Sequence, residues 1–361
     1  MMKKYGFQAA VFAVALGAFT ACSDDDNQPI EPPVSKFSNG AYILNTGNYG
    51  QNNASIQWYN QETGEVSKDL FETANGRGIG DAQDMCVYGS KIYITSSSSA
   101  KIEVVNKEDF KVIKTLPLKN AQNQPIDARY LTAAAGNVFF TAYDGTVSRL
   151  DTLSLEITKT LPVGDHPEGI TNAKGKLYIN VSGYGSGKTV AVVDIASFTK
   201  SKDIEVKLNP NTECITGADG NVYMVSNGNY AGSSHVPEDK WIYQTLQCID
   251  PVTDAVKELC NATYIANKGD KMYILYAEYY LPKTHSISVY DLKKNELKPF
   301  IDIKEVPNPS FIKVDPVSGD VYIGSMVKDA NNEVYIYSEK GEFKKKIEAG
   351  YYTTAMYFPA R

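Results

Sequence analysis

Gly40-Ala41-Tyr42-Ile43, Lys91-Ile92-Tyr93-Ile94, Asn137-Val138-Phe139-Phe140, Lys176-Leu177-Tyr178-Ile179, Asn221-Val222-Tyr223-Met224, Lys271-Met272-Tyr273-Ile274 and Asp320-Val321-Tyr322-Ile323 are seven copies of one phrase. Each runs from a glycine or polar residue to an apolar residue, an aromatic and a second apolar residue. The aromatics stand 51, 46, 39, 45, 50 and 49 residues apart. Short apolar runs bounded by turn residues read as strands. A period of roughly 40–50 residues is that of a β-propeller blade.

Working outward from each copy, the same four strands can be traced. Around Asn137-Val138-Phe139-Phe140 they are 128–134 (A), 137–142 (B), 145–150 (C) and 156–161 (D), joined by short Asp- and Gly-containing turns. At the amino end, 40–45, 55–60 and 66–70 supply B, C and D of blade one, with no A before them. At the carboxyl end, 353–358 follows the last D, where a new A belongs. The expectation is an all-β, seven-bladed β-propeller over residues 38–361, with four antiparallel strands per blade. The C-terminal strand completes the first blade, and closure removes the exposed edges of an open array.

In such a meander the B–C and D–A connections share one face, and the A–B and C–D connections share the other. The second set is short. The first includes B–C loops 46–54, 182–188, 227–244, 277–285 and 326–332, and D–A connections 72–82 and 117–127. Binding concentrates on long loops held by a rigid scaffold. This face carries Asn48, Tyr49, Asn52, Tyr184, Asn229, Tyr230, Trp241, Tyr279, Tyr280 and Tyr352, with Tyr143 at the short B–C turn of blade three. Tyrosine and asparagine together offer flat apolar contact and adaptable hydrogen bonds. About half of these rings are expected to pack the loops instead.

Arg129, His166 and Glu168 stand where inner strands begin, at the mouth of the central channel. His166-Pro167-Glu168-Gly169 has the composition of an acid–base pair, although a His-Pro-x-Gly phrase also opens inner strands without any enzymatic role. His235 and His285 read as surface loop residues. The sequence contains no Ser–His–Asp spacing, phosphate loop or metal motif. The expectation is a protein with no catalytic residues, no metal and no catalytic cofactor.

Residues 1–21 read as a signal peptide, with Lys3 and Lys4 before an apolar run at 9–19 too short to span a bilayer. Thr20-Ala21-Cys22 looks like a lipobox, which makes Cys22 the expected lipidation site. Residues 22–37 then form a tether, with Ser23-Asp24-Asp25-Asp26-Asn27 and a stiff spacer containing Pro29, Pro32 and Pro33. The expected membrane attachment is by lipid anchor only. Formal net charge is −6, and −8 once Lys3 and Lys4 are removed. With no basic stripe, a nucleic-acid partner is not expected. Cys86, Cys214, Cys248 and Cys260 permit two disulfides but show no framework spacing. Cys86 and Cys214, at matching places in inner strands, are expected to be small buried apolar groups.

Leu44-Asn45-Thr46-Gly47-Asn48-Tyr49-Gly50, Asn53-Ala54-Ser55 and Asn75-Gly76-Arg77-Gly78-Ile79-Gly80-Asp81 leading to Asp84-Met85 resemble a family. It is the seven-bladed surface lipoproteins of Bacteroidetes, DUF5074-like and related to YncE-like and quinoprotein-dehydrogenase-like propellers. The resemblance covers residues 38–358. It departs at Thr46, where the family usually has Glu. The acidic run after Cys22 resembles that group's export signal, which implies an outer-membrane, lipid-anchored and surface-exposed protein. One branch, the surface cobalamin-capture lipoproteins, binds vitamin B12 on the loop-rich face and sits over a TonB-dependent outer-membrane transporter. The resemblance therefore implies capture of cobalamin, or another corrinoid or small amphipathic ligand, with cobalamin as ligand and not catalytic cofactor. Two other readings stand beside it. One is a glycan-binding surface lipoprotein, and the other a propeller lyase or lactonase using His166 and Glu168.

Overall fold

The structure is a computed structural model describing residues 36–327 and 330–359. The expected signal peptide, Cys22 and nearly all of the tether lie outside the described residues. Among the described residues, seven antiparallel sheets form the seven blades. Their inner strands are Asp84–Tyr88, Ala128–Ala134, Pro167–Ala173, Pro210–Thr216, Tyr264–Lys268, Pro309–Val314 and, for blade one, Thr353–Tyr357. Thr353–Tyr357 pairs with Gly40–Asn45, with Tyr42 opposite Tyr357 and Leu44 opposite Ala355. The first and last strands of the propeller thus share one sheet, as expected.

The repeated phrase explains the ring. Its aromatics, Tyr42, Tyr93, Phe139, Tyr178, Tyr223, Tyr273 and Tyr322, are at most 3% exposed. Side chains alternate across a strand, so each aromatic points to one side of its blade and the flanking apolar pair to the other. Tyr93 packs with Val138 and Phe140 of the next blade. Phe139 packs with Leu177 and Ile179, Tyr178 with Val222 and Met224, and Tyr223 with Met272 and Ile274. Tyr273 meets Val321 and Ile323. Tyr322 meets Ala41 and Ile43 of blade one, and Tyr42 meets Ile92 and Ile94. Each copy is therefore half of two interfaces. Burying each aromatic contributes about 2–3 kcal/mol.

One expected strand is replaced. Residues 66–70 do not form a ladder; Val66 makes a single bridge to Tyr59. Side chains take over the hydrogen bonds that a fourth strand would supply. Ser67 Oγ accepts from Trp58 N at 2.8 Å, and Asp69 Oδ1 from Ile56 N at 3.1 Å. Asp69 also caps a short helix, Leu70–Asn75, that buries Phe71 in the blade one–blade two interface.

The C–D turns share a second device. Asn60, Asn106, Asp151, Asp194, Asp250 and Asp291 each accept, through a side-chain oxygen, a backbone N–H two or three residues ahead. The residue four positions on is left-handed: Gly64, Phe110, Leu155, Phe198, Asp254 and Asn295. Phe110, Leu155 and Phe198 are buried, so core packing holds their strained backbone.

The four cysteines are free thiols. Cys214 is buried as expected, whereas Cys86 is only half-buried, packed against the cluster between blades two and three. Burial pushes the Cys86 thiol up to about 12 and Cys260 to about 11, which disfavours the thiolate. No helix among the described residues is long and apolar enough to cross a membrane.

Candidate binding face and channel mouth

The loop-rich face is assembled by a repeated backbone device. His166, Asn209, Asn308 and Tyr352 immediately precede inner strands, and all have positive φ (47°, 62°, 43° and 52°). Each carbonyl accepts a hydrogen bond from the start of the B–C loop in its own blade. The donors are Ser182 N at 3.2 Å, Asn227 N at 2.7 Å, Met326 N at 3.0 Å and Thr46 N at 2.9 Å. His166-Pro167 is thus one instance of a shared turn, and its backbone role is structural.

The side chains around it form the first half of the site. Glu168 is 5% exposed at its side chain and Arg129 14%. Arg129 Nε donates to Glu168 Oε2 at 3.0 Å, and Nη1 donates to Gln83 Oε1 at 2.5 Å. Tyr143 Oη donates to the other carboxylate oxygen at 2.6 Å. Burial alone would lower the Arg129 guanidinium, but Tyr130, Glu168 and Tyr143 outweigh it and hold it above its ordinary value. Tyr143 is pushed up by burial and by Glu168. His166 pairs with Asp165, Nδ1 to Oδ1 at 2.7 Å, and not with Glu168. The acid–base pair read from the sequence is therefore split between two different partners.

The second half is a depression of about 630 Å³ on the same face. It is lined by Tyr279, Pro282, His285, Tyr352 and Met326, with Gln244, Thr263, Asn308 and Ser310 supplying polar groups. It shares Gln244, Thr263, Tyr264, Ser310 and Met326 with the central channel, a cavity of about 410 Å³. His285, expected as a surface residue, is half-buried in this wall, and burial lowers its imidazole. The loop above is pinned by Glu278, which is 2% exposed and accepts from Gln244 N at 2.7 Å. Burial raises the Glu278 carboxyl. Deeper in the channel, burial likewise raises Asp84 and Glu213, and Lys313 opposes both shifts.

The remaining expected residues divide in two. Tyr49, Tyr184, Tyr230, Tyr279 and Tyr280 are exposed. Tyr49 Oη reaches Asp127 Oδ2 at 3.4 Å, and Asp127 raises its hydroxyl. Tyr279 and Tyr280 meet edge to face at 4.9 Å. Others are committed to loop structure. Asn229 spans its own loop, donating to Lys240 O and accepting from Ile242 N, both at 2.8 Å. Asn52 Oδ1 accepts from Ser99 Oγ at 2.8 Å, and Asn48 N donates to Asn53 Oδ1 at 2.8 Å. Trp241 donates its indole N–H to Val236 O at 3.0 Å. It lines a separate groove of about 450 Å³ with Lys188, Lys207 and Tyr243. Sequence reasoning missed Gln83 and Glu278. Both are single polar residues beside apolar runs, with no spacing signal to mark them.

No curated protein matches this chain. Solved structures are similar in fold. A Bacteroides uniformis protein described as a candidate 6-phosphogluconolactonase is 12% identical, with a TM-score of 0.62, covering 89% of this chain and 100% of that one. Dihydro-heme d1 dehydrogenase NirN, in complex with DHE, is 10% identical with a TM-score of 0.60, covering 91% and 78%. The Kuenenia stuttgartiensis hydrazine synthase is 15% identical with a TM-score of 0.57, covering 80% and 89%. At these identities the likeness is one of architecture. Residues 39–361 match the family described as "Domain of unknown function (DUF5074)", and the chain belongs to that family.

Proposed function

We propose that this protein is a non-enzymatic capture protein that binds a large amphipathic small molecule, a cobalamin or related corrinoid, on its loop-rich face. The observation carrying the reading is the depression of about 630 Å³ lined by Tyr279, Tyr352 and His285, opening into the channel. Ligand sites combine apolar walls with a few placed polar groups, and this wall offers both. A corrinoid is broad and apolar in its ring, with amide arms that Gln244, Asn308, Thr263 and Ser310 suit. The commitment of Glu168 to Arg129 and Tyr143 favours binding over acid–base chemistry. With lipid attachment at Cys22, the face would hold its ligand outside the outer membrane and pass it to a TonB-dependent transporter.

The test is titration of cyanocobalamin into the unit 35–361, followed by visible absorbance and calorimetry. Saturable binding is expected, weakened at least tenfold by Tyr279→Ala combined with Tyr352→Ala. No binding at micromolar concentrations would refute the reading. The Trp241 and Tyr243 groove, an aromatic platform flanked by lysines, favours a glycan as the second reading. An oligosaccharide response lost in Trp241→Ala would support it.

A further inference from the structure

Arg129, Tyr143, His166 and Tyr184 form a continuous row of side-chain contacts from the channel wall to solvent. The Arg129 guanidinium lies 4.4 Å from the Tyr143 ring centroid. Tyr143 and His166 rings are 4.9 Å apart and inclined at 54°, and His166 and Tyr184 rings are 5.1 Å apart and inclined at 50°. The inner members are fixed: Arg129 by Glu168 and Gln83, Tyr143 by Glu168, and His166 by Asp165. The outermost ring is 82% exposed.

Tyr184 is also strained, with φ +54°. A bulky residue at positive φ is costly unless its surroundings impose it. Phe110 and Phe198 share that conformation but are buried. Tyr184 gains little burial, so its strain is held by the loop around it. Gly187 shows how tight that loop is, because a Cβ there would lie 2.1 Å from Val181 O. The loop spends its freedom on holding one ring outward, over a histidine.

We propose that the exposed face of Tyr184 receives one flat heteroaromatic ring, with the tilted His166 ring backing the tyrosine from the channel side. Resting on the corrinoid reading above, the ring is the pendant benzimidazole of a cobalamin, and the corrin lies toward the depression. Aromatic stacking of this kind is worth about tenfold in affinity.

Two corrinoids separate the claims: cyanocobalamin, which carries the pendant base, and dicyanocobinamide, which lacks it. The wild-type unit 35–361 is expected to bind cyanocobalamin about tenfold more tightly. Tyr184→Ala should erase that preference and Tyr184→Phe should keep it. A preference unchanged in Tyr184→Ala overturns the inference while leaving the corrinoid reading intact. If neither corrinoid binds, the corrinoid reading falls and free 5,6-dimethylbenzimidazole becomes the probe. A shift of the His166 ring resonances by the free base, abolished in Tyr184→Ala, sustains the stacking site; no shift overturns it.

Discussion

Asn45 is the residue on which ring closure can be tested most sharply. It is fully buried and uses its whole amide. Nδ2 donates to Ser55 Oγ at 3.1 Å and Gln57 Oε1 at 2.9 Å. Oδ1 accepts from Gly350 N at 3.0 Å and Thr353 Oγ1 at 2.6 Å. One side chain thus joins the first two strands of the chain to its last two. In Asn45→Ala, Thr353 Oγ1 can still donate to Gly350 O at 3.2 Å, but Gly350 N–H loses its partner. An orphaned buried donor costs about 1–3 kcal/mol, and the cavity adds about 1 kcal/mol. The expected loss is about 3 kcal/mol, or roughly 4 °C in Tm for a domain of this size.

The same geometry predicts a compensating change. A Cβ on Gly350 would lie 2.6 Å from Asn45 Nδ2 and 2.7 Å from Cγ. Gly350→Ala should therefore be destabilising alone and less so beside Asn45→Ala, which removes both contacts and leaves only the 3.2 Å one to the Cβ of residue 45. Urea unfolding of the two single variants and the double should show the double more stable than additivity requires, by about 1–2 kcal/mol. An Asn45→Ala loss below 1 kcal/mol, or strict additivity, would refute the view that this amide latches the ring.

Three further outcomes follow from the geometry. Arg129→Met strands the buried Glu168 carboxylate and should cost about 3–5 kcal/mol, whereas Arg129→Met with Glu168→Leu should recover most of it; equal losses in chemical denaturation would contradict the pairing. Asp151, Asp194, Asp250 and Asp291 are held below the usual carboxylate range, chiefly by backbone N–H groups of their own turns. Depressed folded values contribute stability present above the unfolded pKa, about 3.9, and lost as pH falls through the folded ones; the fourfold Asp→Asn variant, which keeps the acceptor, should show a flatter acid-unfolding curve. Glu213 has the opposite sign, since burial raises it above its unfolded value and its contribution shrinks as pH rises from the unfolded to the folded pKa. Glu213→Gln should then be more stable than wild type at neutral pH by a margin that narrows toward about pH 4, and a margin constant with pH would count against the buried charge.

The scaffold was legible and the site only in part, for a physical reason. Tyr42, Tyr93, Tyr178 and Tyr322 recur because each solves the same packing problem, and a repeated solution leaves a repeated phrase. The turns were legible on the same ground, since Asp151, Asp250 and Asp291 all cap the same four-residue reversal. Strand D of blade one was misread because Ser67 and Asp69 satisfy backbone donors with side chains, which apolar patterning cannot register. The site is harder still because its residues meet only across the interfaces between blades. Gln83, Arg129 and Glu168 open the inner strands of blades two, three and four, and nothing in their spacing says that one guanidinium bridges the other two. Sequence proximity grouped His166 with Glu168, whereas the structure gives His166 to Asp165 and Glu168 to Arg129 and Tyr143. The loop tyrosines were legible as a group because exposed aromatics are expensive to display. Backbone strain sets two of them apart: Tyr184 and Tyr230 are held at positive φ while 82% and 52% exposed, whereas Phe110 and Phe198 in the same conformation are core. That contrast between two faces of one ring favours the loop side as the face built for contact.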